Sequence, residues 1–242
     1  MQAEQLIKHP CRILVTGRSG AGKTTSAVDL IDRVFRPQIR RLVVCCPTWE
    51  TQETFNSIRD MVHPKRDVLD PNPRDGTDPL AGFFKILEKQ RKLSKTTGTK
   101  PFPQLLLYDD MAGGKCQSMR IGYLAQIGVQ ARHFNLSVIC ISQQPKFTCN
   151  GFRQNVDAAI CYPPTSTNGK QWFHEELNLN MYPKKEFNYM LDQAWQGGRD
   201  DKKEIGSHFL FVVNFGRKPA RYFINYSNEL LCDAEPCMEM ED

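Results

Sequence analysis

Residues 17–24 read Gly17, Arg18, Ser19, Gly20, Ala21, Gly22, Lys23 and Thr24, the full G-x-x-x-x-G-K-[ST] spacing of a phosphate loop. Each residue type has a task there. The glycines let the backbone curl so that successive N–H groups turn inward at the head of a helix, where the helix dipole also favours an anion. Lys23 reaches the outer phosphates of a nucleoside triphosphate, and the Thr24 hydroxyl joins the shell of a magnesium ion. The expected ligand is ATP with Mg2+, bound along Gly17, Arg18, Ser19, Gly20, Ala21, Gly22, Lys23, Thr24 and Thr25.

Two further clusters suit that ligand. Gln104 to Asp110 is an apolar run ending in two carboxylates, Asp109 and Asp110, the Walker B form. Asp109 is expected to hold the Mg2+ shell, and Asp110 to orient or deprotonate an attacking water. Ser137 to Ser142 is a second apolar run, followed by Gln143, Gln144 and Pro145. A glutamine at that exit can hydrogen-bond both the terminal phosphate and the lytic water. Taken singly, these clusters also fit a flexible turn, an aspartate helix cap and an ordinary strand exit. In this order, with Lys23, they point to hydrolysis with water as acceptor.

The elements that must position these groups are legible in the apolar pattern. Strand-like runs recur at 12–16, 42–46, 105–108, 138–142, 158–162, 209–214 and 222–225, several of them continuously apolar, as in a sheet covered on both faces. Helical spacing fits 25–35, 80–93, 117–132, 170–177 and 184–195. Alternating strands and helices predict a mainly parallel α/β sheet flanked by helices. In such a sheet the loops after the strands share one edge, so the phosphate loop, Asp109 and Gln143 should converge. Only Gly216, Arg217, Lys218 and Pro219 separate the last two runs, which predicts an antiparallel hairpin at the C-terminus. Residues 63–78 and 94–103 read as loops. A single domain is expected over 1–228, with an acidic, unstructured tail over 229–242.

The chain has 242 residues and a formal net charge of +5, a modest tilt toward a polyanionic partner. Nine cysteines occur without a C-x-x-C pair, which favours buried free thiols in a reducing, intracellular setting. The first ten residues do not read as a signal peptide, and no apolar run approaches the ~20 residues of a membrane span.

The three motifs in this order resemble the ASCE class of P-loop ATPases, with a RecA-like core. Arg132, His133, Phe134, Asn135 and Leu136 leading to Ser142 and Gln143 resemble the FtsK–HerA superfamily. Within it the likeness is to the genome-packaging ATPases of large double-stranded DNA viruses of the poxvirus type, of virophages and of Maverick-like elements. Further support comes from residues 12–17, from Tyr108 to Met111, and from Arg153, Gln154 and Asn155. The likeness covers residues 8–165, and the last third carries no matching motif.

That resemblance implies a sensor strand inserted between the phosphate-loop strand and the Walker B strand. It implies a homo-oligomeric ring, pentamer or hexamer, around double-stranded DNA, with viral capsid or portal-vertex proteins as partners, in the host cytoplasm, the viral factory or the virion. It also implies that a neighbour's arginine completes each ATP site. Arg132 is the first candidate by position, then Arg153, then Arg120. Lys115 and Lys146 lead the candidates for DNA contact, with Lys95 and Lys100 beside them and Trp172, Lys184 and Lys185 behind. The weighed alternatives are a nucleoside or nucleotide kinase, another FtsK–HerA-type DNA translocase, and a non-catalytic module with ATP as a structural ligand. The sequence lacks the arginine-rich lid segment of a kinase.

Overall fold

The computed structural model describes residues 3–109, 122–145, 148–164, 167–177, 182–196, 208–214, 220–226 and 228–230. Eight strands form one sheet: β1 (Arg12–Thr16), β2 (Arg41–Cys45), β3 (Gln104–Tyr108), β4 (Leu136–Ser142), β5 (Ala158–Cys161), β6 (Leu210–Val213), β7 (Arg221–Ile224) and β8 (Asn228–Glu229). Their order is β2-β3-β4-β1-β5-β6-β7-β8. The first five pair in parallel and the last three antiparallel. The sensor strand β4 therefore lies between β1 and β3, as the resemblance implies, and β6–β7 is the expected antiparallel pair.

The continuous apolar runs follow from what covers the sheet. On one face Ile13, Val15, Val44, Leu107 and Ile141 pack under α1 (Lys23–Leu30), its π-helical continuation Ile31–Phe35 and the 3-10 stretch Glu53–Met61. On the other, Leu14, Val43, Leu106, Val138 and Cys140 meet α2 (Ala81–Thr97), α3 (Tyr123–Gln130), α5 (Thr167–Leu177) and α6 (Lys184–Gln196). Successive strand residues point to opposite faces, so both must be apolar when both faces are covered. A short α4 (Asn150–Arg153) leads into β5. Close packing of α3 on α4 requires Gly128, where a Cβ would come within 2.8 Å of the Phe152 Cα.

Several sequence expectations are corrected. Residues 94–97, read as loop, are the last turn of α2, which ends at Gly98 with φ 68°. Their lack of apolar periodicity reflects exposure, and the Thr96 and Thr97 hydroxyls donate back to the carbonyls of Lys92 and Leu93. Of the helix expected over 117–132, residues 117–121 lie outside the described residues, and the part described begins at Tyr123. Inside the 63–78 loop, Val68 bridges Val44 of the edge strand β2, and Asp67 is buried against Arg41 at 2.8 Å, covering an edge that would otherwise offer free backbone groups. Ordered structure continues through Glu229, whose carboxylate pairs with Arg221 at 2.5 Å; the tail from 231 lies outside the described residues.

Candidate nucleotide site

The five parallel strands end at one edge, where Thr16 is level with Ser142 and Cys161, and Tyr108 with Cys45. The phosphate loop leaves β1 there and turns into α1, with Gly22 capping the helix at φ 88°. The Ser26 N–H is the first to bond within the helix, to Gly22 O at 2.9 Å. The N–H groups of Lys23, Thr24 and Thr25 precede it, and these are the donors an anion takes at a helix head. Lys23 Nζ donates to Arg18 O at 2.8 Å, folding the ammonium over its own loop.

Thr24 Oγ1 donates to Asp109 Oδ2 at 2.9 Å, across 85 residues of sequence. Asp109 is buried, and its N–H bonds Cys45 O at 3.0 Å. At the end of β4 the Ser142 hydroxyl donates to Gln144 O at 2.7 Å, shaping the exit that carries Gln143. Ser19, Gly20, Gly22, Lys23, Thr24 and Thr25 line one cavity of about 240 Å³ with Asp109 and Gln143. The three motifs therefore meet at one cavity, through these residues and not through all of those expected. Gly17 and Ala21 are buried supports beneath it, and Arg18 is exposed. Asp110 lies outside the described residues.

A hydroxyl and a carboxylate at hydrogen-bonding distance beside a phosphate cradle are hard oxygen donors of the kind Mg2+ takes together with phosphate oxygens and water. The residues therefore fit the ion. Among the described residues no group of three His, Cys, Asp or Glu is placed to hold a metal by itself.

Residues that sequence reasoning missed complete the walls. Gln52 and Thr54 line the cavity from the segment after β2. Arg59 holds that segment, donating to the carbonyls of Trp49, Glu50 and Gln52 at 2.9 to 3.3 Å and stacking over the Trp49 ring at 5.3 Å. Tyr162, directly after β5, packs beneath the loop. A Cβ on Gly17, whose φ is 151°, would fall 2.4 Å from the Tyr162 Cβ. The signal available in the sequence was position alone: both follow strands whose ends share the ligand edge.

The arginine candidates lie elsewhere. Arg132 is at the opposite edge, just before β4. Its Nη2 meets Asp157 Oδ1 at 2.7 Å while its side chain stays 59% exposed. The same carboxylate takes the buried Arg12 through Nε at 2.8 Å and Nη2 at 3.0 Å. Arg132 therefore belongs to no part of its own chain's cavity. Arg153 is 14% exposed, 3.9 Å from Glu176, and bonded to Pro145 O and Asn150. Arg120, Lys115 and Lys146 lie outside the described residues. Lys95 occupies the last turn of α2, which leads to the start of β3 and so to the edge away from the cavity; Lys100 is exposed. Trp172 is 6% exposed, in the core, which removes it as a nucleic-acid contact. Lys184 and Lys185 are exposed at the head of α6.

No protein-family model and no curated protein matches the chain. Solved structures do. The genome-packaging NTPase B204 of Sulfolobus turreted icosahedral virus 2, in complex with ATP-gammaS, aligns at 16% identity and a TM-score of 0.54, over 93% of this chain and 100% of that one. The DNA-packaging ATPase B204 of Sulfolobus turreted icosahedral virus aligns at 13% identity and a TM-score of 0.58, over 91% and 99%. The pCW3 conjugation coupling protein TcpA, with ATPgS, aligns at 15% identity and a TM-score of 0.56, over 90% of this chain and 61% of that one. At these identities the likeness establishes the fold, which is the one the FtsK–HerA resemblance implies.

Proposed function

We propose that the chain is a Mg2+-dependent ATP hydrolase of the FtsK–HerA type that moves double-stranded DNA, and that its task is to pack a viral genome into a capsid. One observation carries the hydrolytic part: Thr24 bonded to Asp109, with Gln143 on the same cavity, around an intact phosphate loop. The packaging task is supported by the likeness to B204 along almost the whole chain, including the last third, where the sequence showed no motif. In this reading the protein works as a ring of five or six copies, docked on capsid or portal-vertex proteins, in the host cytoplasm, the viral factory or the virion.

Bound Mg2+ would neutralise phosphate charge between Thr24 and Asp109. The loop N–H groups and Lys23 hold the outer phosphates in line for attack, contributing orientation and charge stabilisation. Gln143 orients the water against the terminal phosphate, and Asp110 takes its proton. A guanidinium from a neighbouring copy, Arg132 first by position and exposure, stabilises the charge that spreads over the transferring group.

The test is phosphate release by the full chain with and without duplex DNA, beside particle mass and an assay for transfer to nucleosides. DNA-stimulated release from an oligomer is expected, and Gln143→Ala should keep ATP binding while lowering turnover by roughly 10²-fold. A DNA-insensitive monomer, or phosphate transfer to a nucleoside, would sink the proposal.

A further inference from the structure

We propose that Tyr162 is a positioning residue that holds the phosphate loop in its ligand-competent shape, and that the C-terminal strands exist in part to hold Tyr162. The proposal rests on the nucleotide reading of the cavity and deepens it.

The geometry begins at β5, which pairs with β1 in register, Cys161 beside Thr16. The next residue continues that pairing, with the Tyr162 N–H bonding Thr16 O at 2.8 Å. The side chain therefore projects under the point where the chain leaves β1. Its Cβ occupies the space that a Cβ on Gly17 would need, so residue 17 can carry no side chain of its own. Its hydroxyl reaches Gly22 O and donates at 3.2 Å. The two glycines that open and close the loop are thus gripped by one residue, 140 positions beyond the second of them in sequence.

Gly22 O also accepts the first helical bond of α1. Tyr162 thereby ties the helix head, whose first residues Lys23, Thr24 and Thr25 line the cavity, to the sheet. Burial pushes the Tyr162 hydroxyl above its ordinary pKa, so it remains a protonated donor at working pH.

Aromatic packing carries the brace back into the last third of the chain. The Tyr162 ring meets Phe209 at 5.2 Å, and Phe209 meets Tyr226 at 5.0 Å. The Tyr226 hydroxyl in turn donates to Ser26 O in the first turns of α1, at 3.3 Å. Asn225, at φ 53°, fixes this corner by bonding the Phe209 backbone from both its N–H and its side chain. Two tyrosines from the C-terminal half therefore donate to carbonyls on either side of Lys23, Thr24 and Thr25.

Such a brace acts by population. A loop that samples other shapes binds with its intrinsic dissociation constant divided by the competent fraction, and so more weakly. Tyr162→Phe keeps the ring and removes only the hydroxyl, so the full chain should bind ATPγS about 3- to 10-fold more weakly. Amide hydrogen exchange in 17–24 should also quicken in the free protein. Tyr226→Phe should act in the same direction and less, because its bond is longer. If the wild-type chain binds no ATPγS, the nucleotide reading fails and the brace with it. If the wild type binds and Tyr162→Phe binds equally well, the brace alone is overturned, even where that variant melts earlier, since the residue is then only packing.

Discussion

Asp157 and Arg132 touch each other, yet their removal should have opposite signatures. The Asp157 carboxylate is 4% exposed and takes Arg12, itself 7% exposed, through a two-point contact. The backbone N–H of Arg12 adds a further bond at 2.8 Å. Asp157→Asn leaves the Arg12 guanidinium buried without its counter-charge, which costs about 3–5 kcal/mol. In a chain of this size each kcal/mol moves the melting point by roughly 2–4 °C, so a fall of about 6–20 °C is expected. Arg132→Ala removes an exposed partner and leaves the Arg12–Asp157 pair intact. Its stability cost should stay within about 1 kcal/mol, below about 4 °C. Turnover should respond the other way, because loss of a trans guanidinium costs about 10³-fold or more while ATP binding survives. Calorimetry and phosphate release on the two variants measure both. Mixing Arg132→Ala with Asp110→Asn chains should restore part of the activity, since one site per pair of variants regains a full set. The reasoning fails if Arg132→Ala melts as early as Asp157→Asn, or if it turns over ATP like the wild type.

Two further outcomes follow from burial. Burial holds His9 below its ordinary pKa of 6.5, with its ring nitrogens 2.7 Å from Ser137 Oγ and 3.0 Å from Asn135 Oδ1. The unfolded chain therefore takes up the proton first, so this contribution to stability is whole above 6.5 and is lost as pH falls from there toward the folded-state value. Denaturant midpoints at about pH 7.5 and about pH 5.5 should differ less for His9→Gln than for the wild type; an equal difference would remove His9 as the cause. Among the nine cysteines, Cys11, Cys45, Cys46, Cys140, Cys149 and Cys161 are free and buried, with the Cys11 thiol pushed up to about 12 by burial. Alkylation of the native protein should label at most three thiols quickly and all nine in denaturant; quick labelling of more than three would contradict the core as described.

What the sequence made legible was whatever depends on local pattern and on one topological rule. The phosphate loop is contiguous, and Asp109 and Gln143 are marked by standing at the ends of apolar runs; parallel strands ending at one edge did the rest. Tyr162 escaped because its role depends on β5 lying beside β1 in register, which no local pattern encodes. The Arg12–Asp157 pair escaped for the same reason, being separated by 145 residues at the starts of two neighbouring strands. The 3-10 stretch Glu53–Met61 buries only Phe55 and Ile58, a spacing too sparse to read as an element, and with it went Gln52 and Thr54. The end of α2 was lost to composition, since a solvated last turn held by threonine hydroxyls looks like a loop.

The placement of Arg132 constrains assembly if it acts in trans. It lies near the start of β4, level with Arg12, whereas the cavity lies past Thr16, at the far end of β1 and about 13 Å along the strand. The two halves of a complete site are thus on opposite edges of one sheet. An isologous dimer brings the same patch of each copy together, and a patch confined to one edge cannot contain both halves. Completing a site then requires the Arg132 edge of one copy to face the cavity edge of the next. That is a head-to-tail contact, which generates a ring when the rotation closes and a filament when it does not. In such an array every cavity but a terminal one is completed, and in a closed ring all of them are. β1, braced by Tyr162 at one end and carrying Arg12 at the other, is then the strand that holds each copy's own phosphate site in fixed relation to the arginine it offers its neighbour.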